Sequence, residues 1–169
     1  MPEPDETLAD VTLRPIGVIR TPHTDPGAAP IQPVFARGIP GRVEVFDEYA
    51  EGLRDLEGFS HVHLLYHLHR APPARLTVKP YLEDVPRGVF ATRAPCRPNG
   101  IGLSLVRLVA VAGCVLEVED VDMLDGSPLL DIKPYVTRFD VRDGARCGWQ
   151  DQVDDDTARR RGRRQSPQP

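Results

Sequence analysis

The chain has 169 residues, 40% of them hydrophobic and 27% charged, which fits one globular domain and excludes a fibrous or wholly disordered chain. A net charge of −4 excludes a uniformly basic nucleic-acid binder, so any polyanion contact must come from a local patch. No run approaches the roughly 18 to 20 apolar residues that span a bilayer, and the N-terminus is acidic where a secretory signal is basic and then apolar; a cytoplasmic protein without membrane contact is expected.

Residues 1–11 hold four acids and no base and read as a flexible leader. A first strand is expected over 11–20, followed by a loop over 21–40 with five prolines and two glycines. Loops of that length without their own structure are usually functional. A second strand is expected over 41–46 and a short helix over 47–56, with Leu53 and Leu56 on one side. Further strands are read over 60–70, 75–81, 88–93, 102–111, 114–120 and 129–136, with Ala112-Gly113 as a tight hairpin. About eight short strands with one or two short helices give a mainly β fold, a small closed or nearly closed β-barrel over 12–139. Residues 140–169 read as a polar extension. Its basic end from Arg159 onward is expected to be a disordered tail that is solvated or touches RNA, and whose removal leaves the barrel's pocket alone.

Three segments carry chemistry. On the strand over 60–70, His61, His63, His67 and His69 share one face and Val62, Leu64, Tyr66 and Leu68 the other. Two His-x-His pairs can ligate a transition metal, but His61 and His69 lie about 26 Å apart on an extended strand. A polar face lining a pocket is the preferred reading, with no metal. Next, prolines and glycines between Arg93 and Ser104 fix an irregular path presenting Arg93, Arg97 and Asn99, where a guanidinium either forks onto a carboxylate or phosphate or braces a corner. Third, Asp125-Gly126-Ser127-Pro128 is a turn, from which a strand carries Asp131, Lys133 and Tyr135. Residues 70–107 also hold seven bases (Arg70, Arg75, Lys79, Arg87, Arg93, Arg97, Arg107) against Glu83 and Asp84, an excess that attracts anions if the side chains converge. The three cysteines, Cys96, Cys114 and Cys147, contain no CxxC pair and form no disulfide framework.

The motifs Ile16-Gly17-Val18-Ile19-Arg20, Gln32-Pro33, Leu56-Glu57-Gly58-Phe59-Ser60-His61, Phe90-Ala91-Thr92-Arg93 with Arg97-Pro98-Asn99-Gly100-Ile101-Gly102-Leu103-Ser104, and Asp125 through Tyr135, in this order, resemble the TsaA/TrmO (VirR-like) family over residues 12–139. The resemblance implies a β-barrel methyltransferase using S-adenosyl-L-methionine, acting as a homodimer. It further implies N6-methylation of threonylcarbamoyladenosine next to the anticodon of tRNA, with no role for DNA. Carried over residue by residue, the cofactor contacts fall on Gln32, Pro33, His69, Arg70, Arg93, Leu103, Asp125, Gly126, Ser127 and Pro128. Arg97, Asn99, Asp131, Lys133 and Tyr135 remain as candidates for the methyl acceptor, and no catalytic residue is assigned. The sequence departs from the family at Gly100, where proline is common, and at Cys96, where a larger residue is usual. It is also expected to lack the C-terminal domain of the longer tRNA-modifying members, which leaves two alternatives open: methylation of a small molecule, or a regulatory module that binds the cofactor without turnover.

Overall fold

Alternation of side chains builds the barrel wall. In β3 (His61–His67), Val62, Leu64 and Tyr66 are buried while His61, His63 and Leu65 face outward and are half-buried. The same period of two runs through β1 (Gly17–Arg20), β2 (Pro40–Val45), β6 (Ile101–Ala112), β7 (Val115–Glu119) and β8 (Ser127–Pro134). In the computed structural model, which describes residues 10–163, these six strands close an antiparallel barrel in the order β1-β2-β7-β6-β3-β8. Ile19, Val43, Val62, Leu64, Val106, Leu116, Val118 and Leu129 fill its interior. Two further strands, β4 (Thr77–Val78) and β5 (Arg87–Gly88), pair outside the barrel.

The departures from the expected elements have local causes. Before β1 the chain is irregular, because Pro15 has no N–H for the ladder and restricts its predecessor. The expected helix over 47–56 is a 3-10 turn, Asp47–Leu53, followed by a second, Leu56–Gly58. Asp55 between them is left-handed, at φ 67°. The segment is too short to offset the cost of an α-helical nucleus. Strand β3 stops at His67, where Leu68 N–H turns to Gly100 C=O (2.7 Å) and Ala71 N–H to Leu68 C=O (3.0 Å). In place of a strand over 88–93, β5 runs into a 3-10 turn, Val89–Ala91. The hairpin between β6 and β7 turns on Gly113-Cys114, one residue later than expected. Gly113 takes φ 60°, the positive angle that tight hairpins place on glycine.

Strand β6 pairs with β3 along its first half and β7 along its second, and the register shifts between Leu108 and Ala110. A bulge there bends the strand so that it serves both neighbours. The barrel's closing seam is short: β1 meets β8 only at Gly17↔Leu129, Val18↔Pro128 and Ile19↔Ser127.

After the short helix α1 (Thr137–Asp140), the extension folds back onto the barrel. Trp149 Nε1 donates to Ala91 C=O (2.8 Å), and the Arg87 guanidinium lies over the Trp149 ring at 5.9 Å. A final helix, α2 (Asp155–Gly162), is capped by Asp154, whose carboxylate accepts from the N–H and hydroxyl of Thr157. Acids occupy its first turn and Arg159, Arg160 and Arg161 its last, complementing the helix dipole. Thus Arg159 to Gly162, expected to be disordered, are helical; residues 164–169 of that tail, and 1–9 of the leader, lie outside the described residues.

Candidate functional site

The loop over 21–40 organises most of the candidate residues. Thr21 N–H donates to Asp125 Oδ1 (3.1 Å), and the Thr21 hydroxyl donates to Met123 C=O (2.8 Å). In return, Asp125 N–H donates to His23 C=O (2.8 Å) and Gly126 N–H to Ile19 C=O (2.9 Å). Gly126 sits at φ 76°, which this turn assigns to glycine. The Ser127 hydroxyl closes the turn onto Leu124 C=O (2.7 Å). A few residues along the loop, Thr24 C=O accepts from Arg70 Nη1 (2.7 Å). Farther on, Gln32 Oε1 accepts from Arg93 Nη1 (2.8 Å). One loop therefore ties together Gln32, Arg70, Arg93 and the Asp125 turn, residues separated by up to 93 positions in sequence. Pro33 begins the 3-10 turn immediately after Gln32, and His69 sits in the turn beyond β3, its N–H on His67 C=O (2.9 Å).

Both arginines are held by neutral acceptors. Among the described residues no carboxylate lies within ion-pair distance of Arg70 or Arg93. Their positive charge is left for a ligand, and a guanidinium fork fits a carboxylate best.

Behind this rim lies a buried polar chain that sequence reasoning missed. Tyr66 Oη and Ser104 Oγ are 3.0 Å apart, and Ser104 Oγ donates to Asp122 Oδ1 at 2.6 Å. Burial pushes the Asp122 carboxyl up to about 7, opposed by the Ser104 hydrogen bond and the Arg93 charge. Burial also pushes the Tyr66 hydroxyl above its ordinary range. The Tyr66 ring lies flat over Gly102, where a Cβ would stand 2.4 Å from the ring carbons. The signal for this chain was Ser104, a lone hydroxyl in the inward register of β6 between Gly102 and Val106. Asp122 gave none, since its burial depends on the left-handed Asp120, φ 70°, which redirects the chain after β7.

Other candidates stand elsewhere. Arg97 Nη1 donates to Thr92 C=O (3.0 Å) and Ala94 C=O (3.1 Å), bracing its own corner. Asn99 and Pro128 share the wall of a cavity of about 340 Å³ with Leu13, His67 and Leu130. Leu103, Asp131, Lys133 and Tyr135 belong to the outer face of the barrel. Leu103 pairs across Leu65 with Asp131, and His63 pairs with Lys133. Lys133 Nζ is 2.9 Å from Asp131 Oδ2, and the Tyr135 ring meets His61 and His63 edge-on. Among the described residues no group of three or more His, Cys, Asp and Glu is placed to hold a metal ion, and no helix is long and apolar enough to cross a membrane.

Residues 18–141 match the tRNA-methyltransferase O N-terminal domain. The chain belongs to that family. A "probable S-adenosyl-L-methionine-binding protein" of Pyrococcus abyssi is 56% identical over 139 residues, covering 82% of this chain and 76% of the relative. The tRNA (adenine(37)-N6)-methyltransferase of Escherichia coli is 39% identical over 139 residues, covering 76% of this chain and 59% of that enzyme. A crystal structure of TrmO from Pseudomonas aeruginosa superposes with a TM-score of 0.70 at 40% identity, covering 83% of this chain and 63% of that one. The six-stranded barrel is thus the family fold, and this chain spans about three-fifths of the two methyltransferase relatives' length.

Proposed function

We propose that this protein binds S-adenosyl-L-methionine in the cleft organised by the loop over 21–40 and methylates N6 of threonylcarbamoyladenosine in tRNA, in the cytoplasm. The observation that carries the reading is the Arg93 guanidinium, fixed by the neutral Gln32 amide with no carboxylate within ion-pair distance among the described residues. It is charge-matched to the amino-acid carboxylate of the cofactor. Arg70 adds a second cation, and Pro33, His69 and the turn Asp125, Gly126, Ser127 and Pro128 are proposed to complete the cofactor contacts. When bound, the cofactor supplies an electrophilic methyl group. The chain's task is then chiefly orientation, since in-line placement alone contributes much of the rate of such a transfer.

The names of the relatives support this reading: one is a "probable S-adenosyl-L-methionine-binding protein" and another a "tRNA (adenine(37)-N6)-methyltransferase". Leu103, a proposed cofactor contact, and Asp131, Lys133 and Tyr135, proposed acceptor contacts, line the outer barrel face, which is proposed to meet the cleft of a second copy in a homodimer. Arg97 and Asn99 are proposed acceptor contacts at the cavity beside Pro128.

A second reading, methylation of a small molecule, is favoured by the net charge of −4, which gives a polyanion no overall attraction. Nucleoside mass spectrometry of tRNA from cells with and without the gene decides between them. Loss of N6-methylated threonylcarbamoyladenosine in the deletion supports the tRNA reading; an unchanged profile, with cofactor still bound by the purified protein, supports the small-molecule one. For the cleft itself, Arg93→Ala is expected to weaken cofactor binding roughly ten- to a hundredfold, the loss of a charge-assisted hydrogen bond. Unchanged affinity in calorimetry would remove Arg93 from the site.

A further inference from the structure

Gln32 reaches Arg93 from the middle of a proline-rich loop, and that stretch has few anchors of its own. The beginning of the loop is stitched to the Asp125 turn, and its end is held where Gly38 N–H donates to Asp120 Oδ1 (2.7 Å). Between these ends the residues flanking Gln32 rest on α2. Ile31 N–H, immediately before Gln32, donates to Gly162 C=O (3.0 Å). Phe35, at the end of the Pro33–Phe35 turn just after it, lays its ring against the buried Gly162, where a Cβ would stand 2.5 Å from ring carbons. The helix is held in turn by Arg161. Its Nη2 lies 3.1 Å from Asp84 Oδ2, and its Nη1 donates to Tyr81 C=O (3.4 Å). The Arg161 guanidinium holds the Asp84 carboxyl below its ordinary range, so this pair is ionised at neutral pH.

We infer that α2 is a positioning element of the cleft: anchored by Arg161 on Asp84 and Tyr81, it grips the loop through Gly162 on both sides of Gln32 and thereby sets where Gln32 holds Arg93. The inference rests on the cofactor reading above, and it reverses the expectation that the polar C-terminal extension is separable from the pocket. Arg161 and Gly162 touch no ligand; they act through Ile31, Phe35 and Gln32. Glycine is required at 162 for contact rather than for backbone freedom, because any side chain there displaces Phe35.

The test uses the full chain with Gly162→Leu, Arg161→Ala and the charge exchange Asp84→Arg/Arg161→Asp. Calorimetry with S-adenosyl-L-methionine is paired with hydrogen exchange of the peptide over 28–36 in ligand-free protein. Gly162→Leu is expected to weaken binding about tenfold, as an overpacked contact. Arg161→Ala is expected to weaken it about three- to fivefold, the range of a part-exposed ion pair. Both variants speed exchange at Ile31 while leaving the barrel's unfolding midpoint unchanged, and the charge exchange restores binding. In a Gln32→Ala background the same changes have little further effect, since coupled residues are not additive. Wild-type affinity and wild-type exchange in Gly162→Leu and Arg161→Ala would overturn the inference, as would equal losses with and without Gln32. Absence of cofactor binding by the unaltered protein would instead overturn the cofactor reading, and the exchange data would still judge the grip of α2 on the loop.

Discussion

Asp122 makes the stability of this barrel depend on pH in a direction opposite to that of most surface carboxylates. Its folded value is raised from 3.8 to about 7 because burial disfavours the charged form. Below pH 3.8 both folded and unfolded states hold the proton, and the group imposes no cost. As pH rises above that value the unfolded chain ionises while the folded chain does not, so stability falls until the folded group also ionises near 7. The gap of about 3 units corresponds to about 4 kcal/mol at 1.36 kcal/mol per unit, a large fraction of the 5–15 kcal/mol of a typical domain. Asp122→Asn removes the titration while keeping an oxygen that accepts from Ser104. Its absolute stability is a poor guide, because the new amide N–H₂ needs partners of its own. The informative quantity is the difference in unfolding free energy between wild type and variant, measured by urea denaturation from pH 4 to 8. All other titrations cancel in that difference, which should change by about 4 kcal/mol in favour of the variant as pH rises. Parallel curves for the two proteins would show that Asp122 is ionised at its ordinary pH in the folded state, and that the Ser104 contact compensates its burial fully.

Gly102→Ala places a methyl group on the Tyr66 ring and should cost about 1–3 kcal/mol by overpacking, read as a lower urea midpoint. Leu64→Ala empties part of the barrel interior, since Leu64 is fully buried, and should cost about 2–5 kcal/mol; thermal unfolding tests it, and a loss below 1 kcal/mol would mean the barrel collapses around the void. If tRNA is the acceptor, binding should weaken steeply with salt as neutralised phosphates release counterions; filter binding across a salt series that gives a flat line would favour a small acceptor.

The barrel was legible because its strands carry the period of two that a one-sided wall demands: Val62, Leu64 and Tyr66 against His61 and His63, Val43 and Val45 against Arg42 and Glu44. Pairing order was not, since it depends on closure across the whole chain. The length and prolines of the loop over 21–40 single it out as a functional candidate. What it organises became visible only through contacts such as Gln32–Arg93 and Thr24–Arg70, between residues tens of positions apart. The outer-face position of Leu103 on β6, where it is 43% exposed, follows from the alternation of that strand, with Gly102 and Ser104 turned inward. The polar extension misled for a different reason. Its low hydrophobicity is real, but α2 docks by a glycine face, one backbone carbonyl and one ion pair, which an apolar count does not register.

The seam between β1 and β8 is the shortest ladder in the barrel wall. Pro128 stands in its middle and has no N–H to give to Val18, while every other junction of the wall is longer. Opening there breaks, besides that ladder, the bonds of Thr21 to Asp125 and Met123, of Asp125 to His23 and of Gly126 to Ile19, so the loop and the turn brace a seam that the ladder leaves short. The loop leaving β1 and the Asp125 turn entering β8 are the two lips of that opening, and they are also the two sides of the candidate cleft. A ligand held between them would act as a staple across the seam, so occupancy of the cleft and closure of the cylinder would be one equilibrium.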